Sequence, residues 1–156
     1  MKKSYLGFTL IELLVVTSII SILFVIGVAQ YTNFNRSQIL DQAAQELKNN
    51  LRLAQTMATS GEKPGGCAVL DGYRVSFSSG NPDTYTIQAI CGGNPVGPIK
   101  SFKLQSVVRF SSVPSPILFK VLAQGTNLNN DLTIRLNFTG TSLQRTVTVS
   151  KQGKIE

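Results

Sequence analysis

From Phe8 to Ala29 the chain is apolar at nearly every position, with Glu12 the one charged side chain in 22 residues. Wound as a helix at 1.5 Å per residue, this run is about 33 Å long, close to the roughly 30 Å hydrocarbon core of a bilayer. From Tyr31 to Thr59 the pattern changes. Leu40, Ala43, Ala44, Leu47, Leu51, Ala54 and Ala58 recur at spacings of three and four, while Asp41, Gln42, Gln45, Lys48, Asn49 and Arg52 fall largely off that stripe. One face of this second stretch is expected to pack on a core and the other to meet solvent or neighbouring subunits. No proline lies between Phe8 and Ser60, so both stretches read as one helix of about 50 residues, roughly 78 Å long, that ends at Gly61 and Pro64.

Beyond the Ser60–Gly66 break, short alternating runs are separated by turn residues, the pattern of antiparallel sheet. The clearest are Tyr73, Val75 and Phe77; Tyr85, Ile87 and Ala89; Leu132, Ile134, Leu136 and Phe138; and Val147 with Val149. Less regular strands are expected at 67–70, 99–104, 107–111 and 117–122. Loops are marked by Asn81-Pro82-Asp83, by Gly92-Gly93-Asn94-Pro95, by Pro114-Ser115-Pro116 and by residues 124–130. The fold class that follows is α+β: a long amino-terminal helix, half membrane-like and half amphipathic, packed on a carboxy-terminal antiparallel sheet domain. The chain divides into residues 1–7, a basic leader; 8–30, the apolar helix; 31–60, its amphipathic half; and 61–156, the β-rich domain.

Composition narrows the chemistry. The 156 residues include no His, which removes the commonest general base and the commonest metal ligand at neutral pH. No nucleophile elbow, no phosphate-binding lysine loop and no carboxylate pair in a recognisable motif is present. Asp41, Asp71, Asp83 and Asp131 sit beside helices or turns, where capping and solvation account for them. A structural rather than enzymatic protein is expected, without cofactor or metal. The net charge of +7 comes from 15 basic and 8 acidic residues. Because the basic residues are scattered singly, they read as a solvated surface before they read as a polyanion site.

The front of the chain carries the most specific signal. Lys2 and Lys3 precede the apolar run and no further basic residue follows until Arg36, which orients the leader to the cytoplasm and the remainder outside. A secretory signal has a shorter apolar part that ends at a small-x-small cleavage site. Here a lone Gly7 precedes the run, and Glu12 lies within it at a cost of about 2–3 kcal/mol on insertion scales. A carboxylate so placed requires a partner.

Gly7-Phe8-Thr9-Leu10-Ile11-Glu12 resembles the class III signal of type IV pilins and type II secretion pseudopilins, and residues 1–35 share that likeness. The resemblance implies cleavage between Gly7 and Phe8 by a membrane prepilin peptidase, methylation of the new amino terminus at Phe8, and retention of the apolar helix as a filament core. It implies for Glu12 a charge pair with the terminal amine of a neighbouring subunit. Such a buried pair selects axial register more than it adds stability. Phe34 and Leu53, off the amphipathic stripe, would then be available to neighbouring protomers. The implied partners are the peptidase, other pilin or pseudopilin subunits, an inner-membrane assembly platform and, before assembly, membrane lipid. The implied location is a bacterial inner membrane with the β-rich domain outside, then a filament in the periplasm or at the cell surface. Major pilins often have proline where this chain has Ala29 and glycine where it has Ser21, which favours a minor subunit.

The segments Leu51–Ala58, LRLAQTMA, and 131–156, with a hairpin turn near Gly140 and a second turn at Gly153, are similar to the H-type pseudopilin and FimT-like minor pilin group. Some FimT-like minor pilins bind DNA through basic residues near the carboxy terminus. The available positions here are Arg135, Arg145, Lys151 and Lys154, but the chain ends Gly153-Lys154-Ile155-Glu156, without a Gly-Arg-x-Arg-type element. A DNA-binding minor pilin and a major pilin therefore stand as alternatives to the minor pseudopilin. Cys67 and Cys91, both on the outer side, are expected either to form a disulfide, which closes a loop of about 25 residues, or to remain as two separate buried thiols.

Overall fold

The computed structural model describes residues 9–156, with the side chains of 25–29 outside the description. The leader 1–7, Gly7 included, and Phe8 lie outside the described residues. The chain forms two units, 1–37 and 38–156.

Helix α1 spans Leu10–Ser60. Residues 10–24 of the helix expose apolar side chains on every side: Leu10 is 80% exposed and Phe24 71%. Its part in the second unit is amphipathic, and Leu40, Leu47, Leu51, Ala54 and Ala58 are fully buried. Alanines alternating with leucines along this stripe let the helix axis approach the strands closely while the leucines fill the remaining volume. Each fully buried leucine contributes about 1.5–3 kcal/mol. The helix ends at Gly61, whose φ of +66° suits a residue without a Cβ. The N–H of Gly61 donates to the Ala58 carbonyl and that of Glu62 to the Met57 carbonyl, both at 3.2 Å, the paired bonds of a Schellman stop.

The strands are β1 (Leu70–Ser78), β2 (Thr84–Cys91), β3 (Asn94–Lys103), β4 (Val108–Phe110), β5 (Ile117–Lys120), β6 (Leu132–Phe138) and β7 (Gln144–Val149). They form two antiparallel sheets: sheet A, ordered β3-β2-β1-β5, and sheet B, ordered β4-β6-β7. The inward residues of both sheets and the helix stripe share one core, in which Tyr85, Phe119, Ile134 and Leu136 are among the largest fully buried side chains. This is the α+β, pilin-like arrangement expected from the sequence.

Several local expectations change. Residues 67–69 are loop, because Cys67 is drawn sideways into a bond with Cys91, with Cα atoms 5.7 Å apart. Asn94 and Pro95, expected in a loop, open β3: the hairpin needs just Gly92 and Gly93, with φ of +56° and +82°, between the paired Cys91 and Asn94. Pro95 is tolerated because β3 is an edge strand. Residues 121 and 122 leave the expected strand and join Ala123 in a tight turn, in which Leu122 and Ala123 have φ of +54° and +56°.

Asp83 is the largest correction. Read as a solvated turn residue, it is 3% exposed. Its carboxylate accepts from the N–H groups of Gly80 at 3.0 Å and Phe110 at 2.8 Å, and from the Arg109 guanidinium at 2.9 Å. Asp83 stands at the foot of β2 and its partners Arg109 and Phe110 on β4, so one side chain ties sheet A to sheet B. Phe77 of β1 and Phe110 of β4 add an edge-to-face contact at 5.5 Å across the same seam.

Candidate functional site: the amino-terminal end of the long helix

The first turn of α1 is built by Thr9. Its Oγ1 accepts the N–H of Glu12 at 3.2 Å, and its carbonyl accepts the N–H of Leu13 at 3.2 Å. Thr9 is therefore the cap residue and Glu12 the third residue of the helix, the Thr-x-x-Glu spacing of a capping box. Glu12 thus has a local role as well: a carboxylate in the first turn is favoured by the positive end of the helix dipole. The prepilin-like motif assigns Thr9 no role; the Thr-x-x-Glu spacing is the signal that finds it.

Three hydroxyls interrupt the apolar surface that follows. Thr17 donates to the Leu14 carbonyl at 3.0 Å, Ser18 to Val15 at 2.7 Å and Ser21 to Thr17 at 2.8 Å. Each hydroxyl hydrogen is spent inside the helix, so the outer surface of residues 10–24 offers hydrocarbon with few unmet polar demands. Glu12 is the one charged residue there. A helix that is apolar all round is stable only when something apolar surrounds it.

Among the described residues, no helix is long and apolar enough to cross a membrane. The span expected from the sequence starts at Phe8, outside the described residues, and passes through 25–29.

The four basic residues proposed for nucleic acid do not converge. Arg135 is exposed on β6 between the buried Ile134 and Leu136, so it faces away from the core. Arg145, opposite Leu136 on β7, is on the other face. There its guanidinium donates to Asp41 of α1 at 2.5 and 3.1 Å, which holds its pKa above the ordinary arginine value. Lys154 pairs with Glu156, which raises its pKa and lowers that of the acid. Lys151 instead shares a polar cleft with Lys120, Asn127 and Asn129. Sequence proximity to the carboxy terminus concealed this dispersal, because alternate residues of a strand point to opposite faces.

The family model for the prokaryotic N-terminal methylation motif matches residues 2–28. No curated protein and no solved structure matches the chain. The match covers the leader, the cap at Thr9, Glu12 and most of the apolar run, and it points to a structural subunit rather than an enzyme. Residues 2–28 are a type IV pilin-like prepilin signal, of the kind processed by prepilin peptidase.

Proposed function

We propose that the protein is a minor pseudopilin or minor pilin, a structural subunit of a type IV pilus-like or type II secretion filament. The observation that carries this reading is the coincidence of the methylation motif with a helix that is apolar on every side and has a single carboxylate in its first turn. The precursor is held in the inner membrane through residues 8–29, cut between Gly7 and Phe8, methylated at Phe8 and drawn into a filament core with the β-rich unit outside. Glu12, capped in place by Thr9, pairs with the terminal amine of a neighbouring subunit. Phe34, 62% exposed, and Leu53, 38% exposed, are offered to adjacent protomers. The H-type assignment is supported by the likeness of 51–58 and 131–156 to that group.

The test uses two substitutions and two readouts. Gly7→Ala leaves an uncut precursor by mass spectrometry of the intact chain. Glu12→Ala is cut and methylated like the wild type but is depleted at least tenfold from sheared filaments. Normal incorporation of the cut Glu12→Ala chain would remove the charge-pair mechanism, and cleavage of Gly7→Ala at the same bond would remove the processing site.

A further inference from the structure

Two sheets have four edges, and the chain covers much of that length itself. Beside β5, Gly125 and Asn127 exchange bonds with Lys120 and Leu118. On β4, the N–H of Val108 is taken by the Gln105 carbonyl and that of Phe110 by Asp83. On β7, the carboxy-terminal tail pairs Glu156 with Thr148 and Lys154 with Ser150. The edge of β3 is treated differently. Among the described residues, nothing but β2 bonds its main chain between Ile99 and Lys103.

The phase of the ladder shows which groups are left over. The N–H of Leu104 donates to the Asp83 carbonyl at 2.9 Å, so that pair is hydrogen-bonded and its neighbours alternate. Lys103 lies opposite Thr84 and Ser101 opposite Thr86; their N–H and C=O groups therefore point away from β2. Pro95 and Pro98 close the first half of β3 to pairing. Ile99–Lys103 has no proline.

Two clefts flank this edge on its helix-facing side, where Pro98, Lys100 and Phe102 alternate. One, of about 270 Å³, is floored by Met57, Tyr73 and Val96 and rimmed by Lys100, whose Nζ is 3.5 Å from the Met57 sulfur. The second, of about 640 Å³, lies beside Phe102 against the polar face of α1; its charged lining residues are Glu46 and Asp41, the latter already paired with Arg145. Side chains of an added strand opposite Lys100 and Phe102 would be two residues apart, about 7 Å.

We propose that the Ile99–Lys103 edge docks an extended segment of a partner protein, which joins sheet A as a fifth strand. The segment runs antiparallel to β3: its Lys or Arg, opposite Phe102, enters the groove beside Glu46, and an apolar side chain two residues later enters the cleft at Lys100. A second copy of β3 fits poorly, because self-pairing crowds Lys100 and Lys103 of both chains along one seam. The inference rests on the second unit alone and stands apart from the filament reading.

The probe is a fluorescent heptapeptide, Thr-Thr-Lys-Thr-Leu-Thr-Thr, which in antiparallel pairing sets its Lys opposite Phe102 and its Leu opposite Lys100; it is titrated into the full chain in detergent micelles and followed by anisotropy. In the proposed pairing the peptide's Leu and Lys turn their N–H groups away from β3, while the threonines between and beside them donate to it. N-methylation at Leu and Lys leaves saturable binding. N-methylation at the three alternate threonines weakens it at least tenfold, as does Ser101→Pro, which removes an outward N–H and spares the β2–β3 ladder; Lys103→Pro repeats the test independently. Hydrogen exchange shows protection of the Ser101 and Lys103 amides when the first isomer is bound. Glu46→Lys lowers affinity for this peptide and raises it for the version with Glu in place of Lys. Equal binding of the two methylated isomers, no saturable binding by the first, or wild-type affinity in both proline variants overturns the proposal.

Discussion

Replacing Asp83 by alanine tests how the two sheets are held together. The substitution removes a carboxylate that accepts from Gly80, Phe110 and Arg109 at 2.8–3.0 Å. The buried N–H of Phe110 is then left without a partner, at a cost of about 1–3 kcal/mol. The Gly80 bond, part-buried, adds about 0.5–1 kcal/mol. The Arg109 side chain is 33% exposed and can turn to water, so its ion pair adds less than about 1 kcal/mol. Together the loss is about 1.5–5 kcal/mol, which for a unit of this size lowers Tm by roughly 5–20 °C. Asp83→Asn keeps one acceptor oxygen and loses about half as much. Because the chain contains no Trp, urea unfolding of the full chain in detergent is followed by near-ultraviolet circular dichroism of the tyrosines. A loss below about 1 kcal/mol for Asp83→Ala would refute the role of this carboxylate as the tie between sheets.

Three further outcomes follow from the same structure. Reduction of the Cys67–Cys91 bond, which spans 24 positions, lowers unfolding free energy by about 3 kcal/mol on the chain-entropy account; denaturant midpoints with and without dithiothreitol measure it, and a Cys67→Ser/Cys91→Ser chain gives the same value. Gly72→Ala places a Cβ 2.0 Å from the Phe119 carbonyl oxygen of β5, so β1 and β5 must separate; a loss of more than 2 kcal/mol in the same assay is expected, roughly that of overpacking a core. Tyr85 is 1% exposed and its phenol is pushed up to about 12, first by burial and then by the Glu46 charge, against the opposing bond from Asn50. Its folded pKa lies above the unfolded value near 10, so its contribution is fully present below pH 10 and is lost as pH rises through 12, about 2–3 kcal/mol over that window. Alkaline unfolding at pH 10, 11 and 12 checks the sign, and Tyr85→Phe flattens the slope.

The positions of the helix stripe and of the inward residues of β1, β2, β6 and β7 were legible because periods of 3.6 and 2 are written directly into which residues are apolar. The prepilin signal was legible for a related reason: it is contiguous, and its meaning depends on the order of glycine, hydrophobe and carboxylate rather than on distant contacts. The cap at Thr9 is legible too, but its Thr-x-x-Glu spacing lies inside a motif that carries another meaning. By contrast, Asp83 between proline and threonine looks like any turn acid. Its importance comes from Arg109 and Phe110, 26 and 27 positions away. The Pro95–Pro98 segment looks like a loop until the neighbouring β2 shows that it is an edge, where missing N–H groups cost little.

The sequence by itself determined the methylation motif at 2–28, the apolar helix with one carboxylate, the amphipathic stripe from Leu40 to Ala58 and an antiparallel class for the remainder. These are local patterns, set by side-chain chemistry and by helix and strand periods. Tertiary structure alone decided that Cys67 meets Cys91, that Asp83 joins two sheets, that Arg135 and Arg145 occupy opposite faces, and that β3 is left with outward main-chain groups beside two clefts. Each depends on which strands become neighbours and in what register, and one residue of slip would reverse every face. Hence the end of the chain that enters an assembly is spelled out in its residues, whereas the surface it can offer a partner exists only after the sheets have closed.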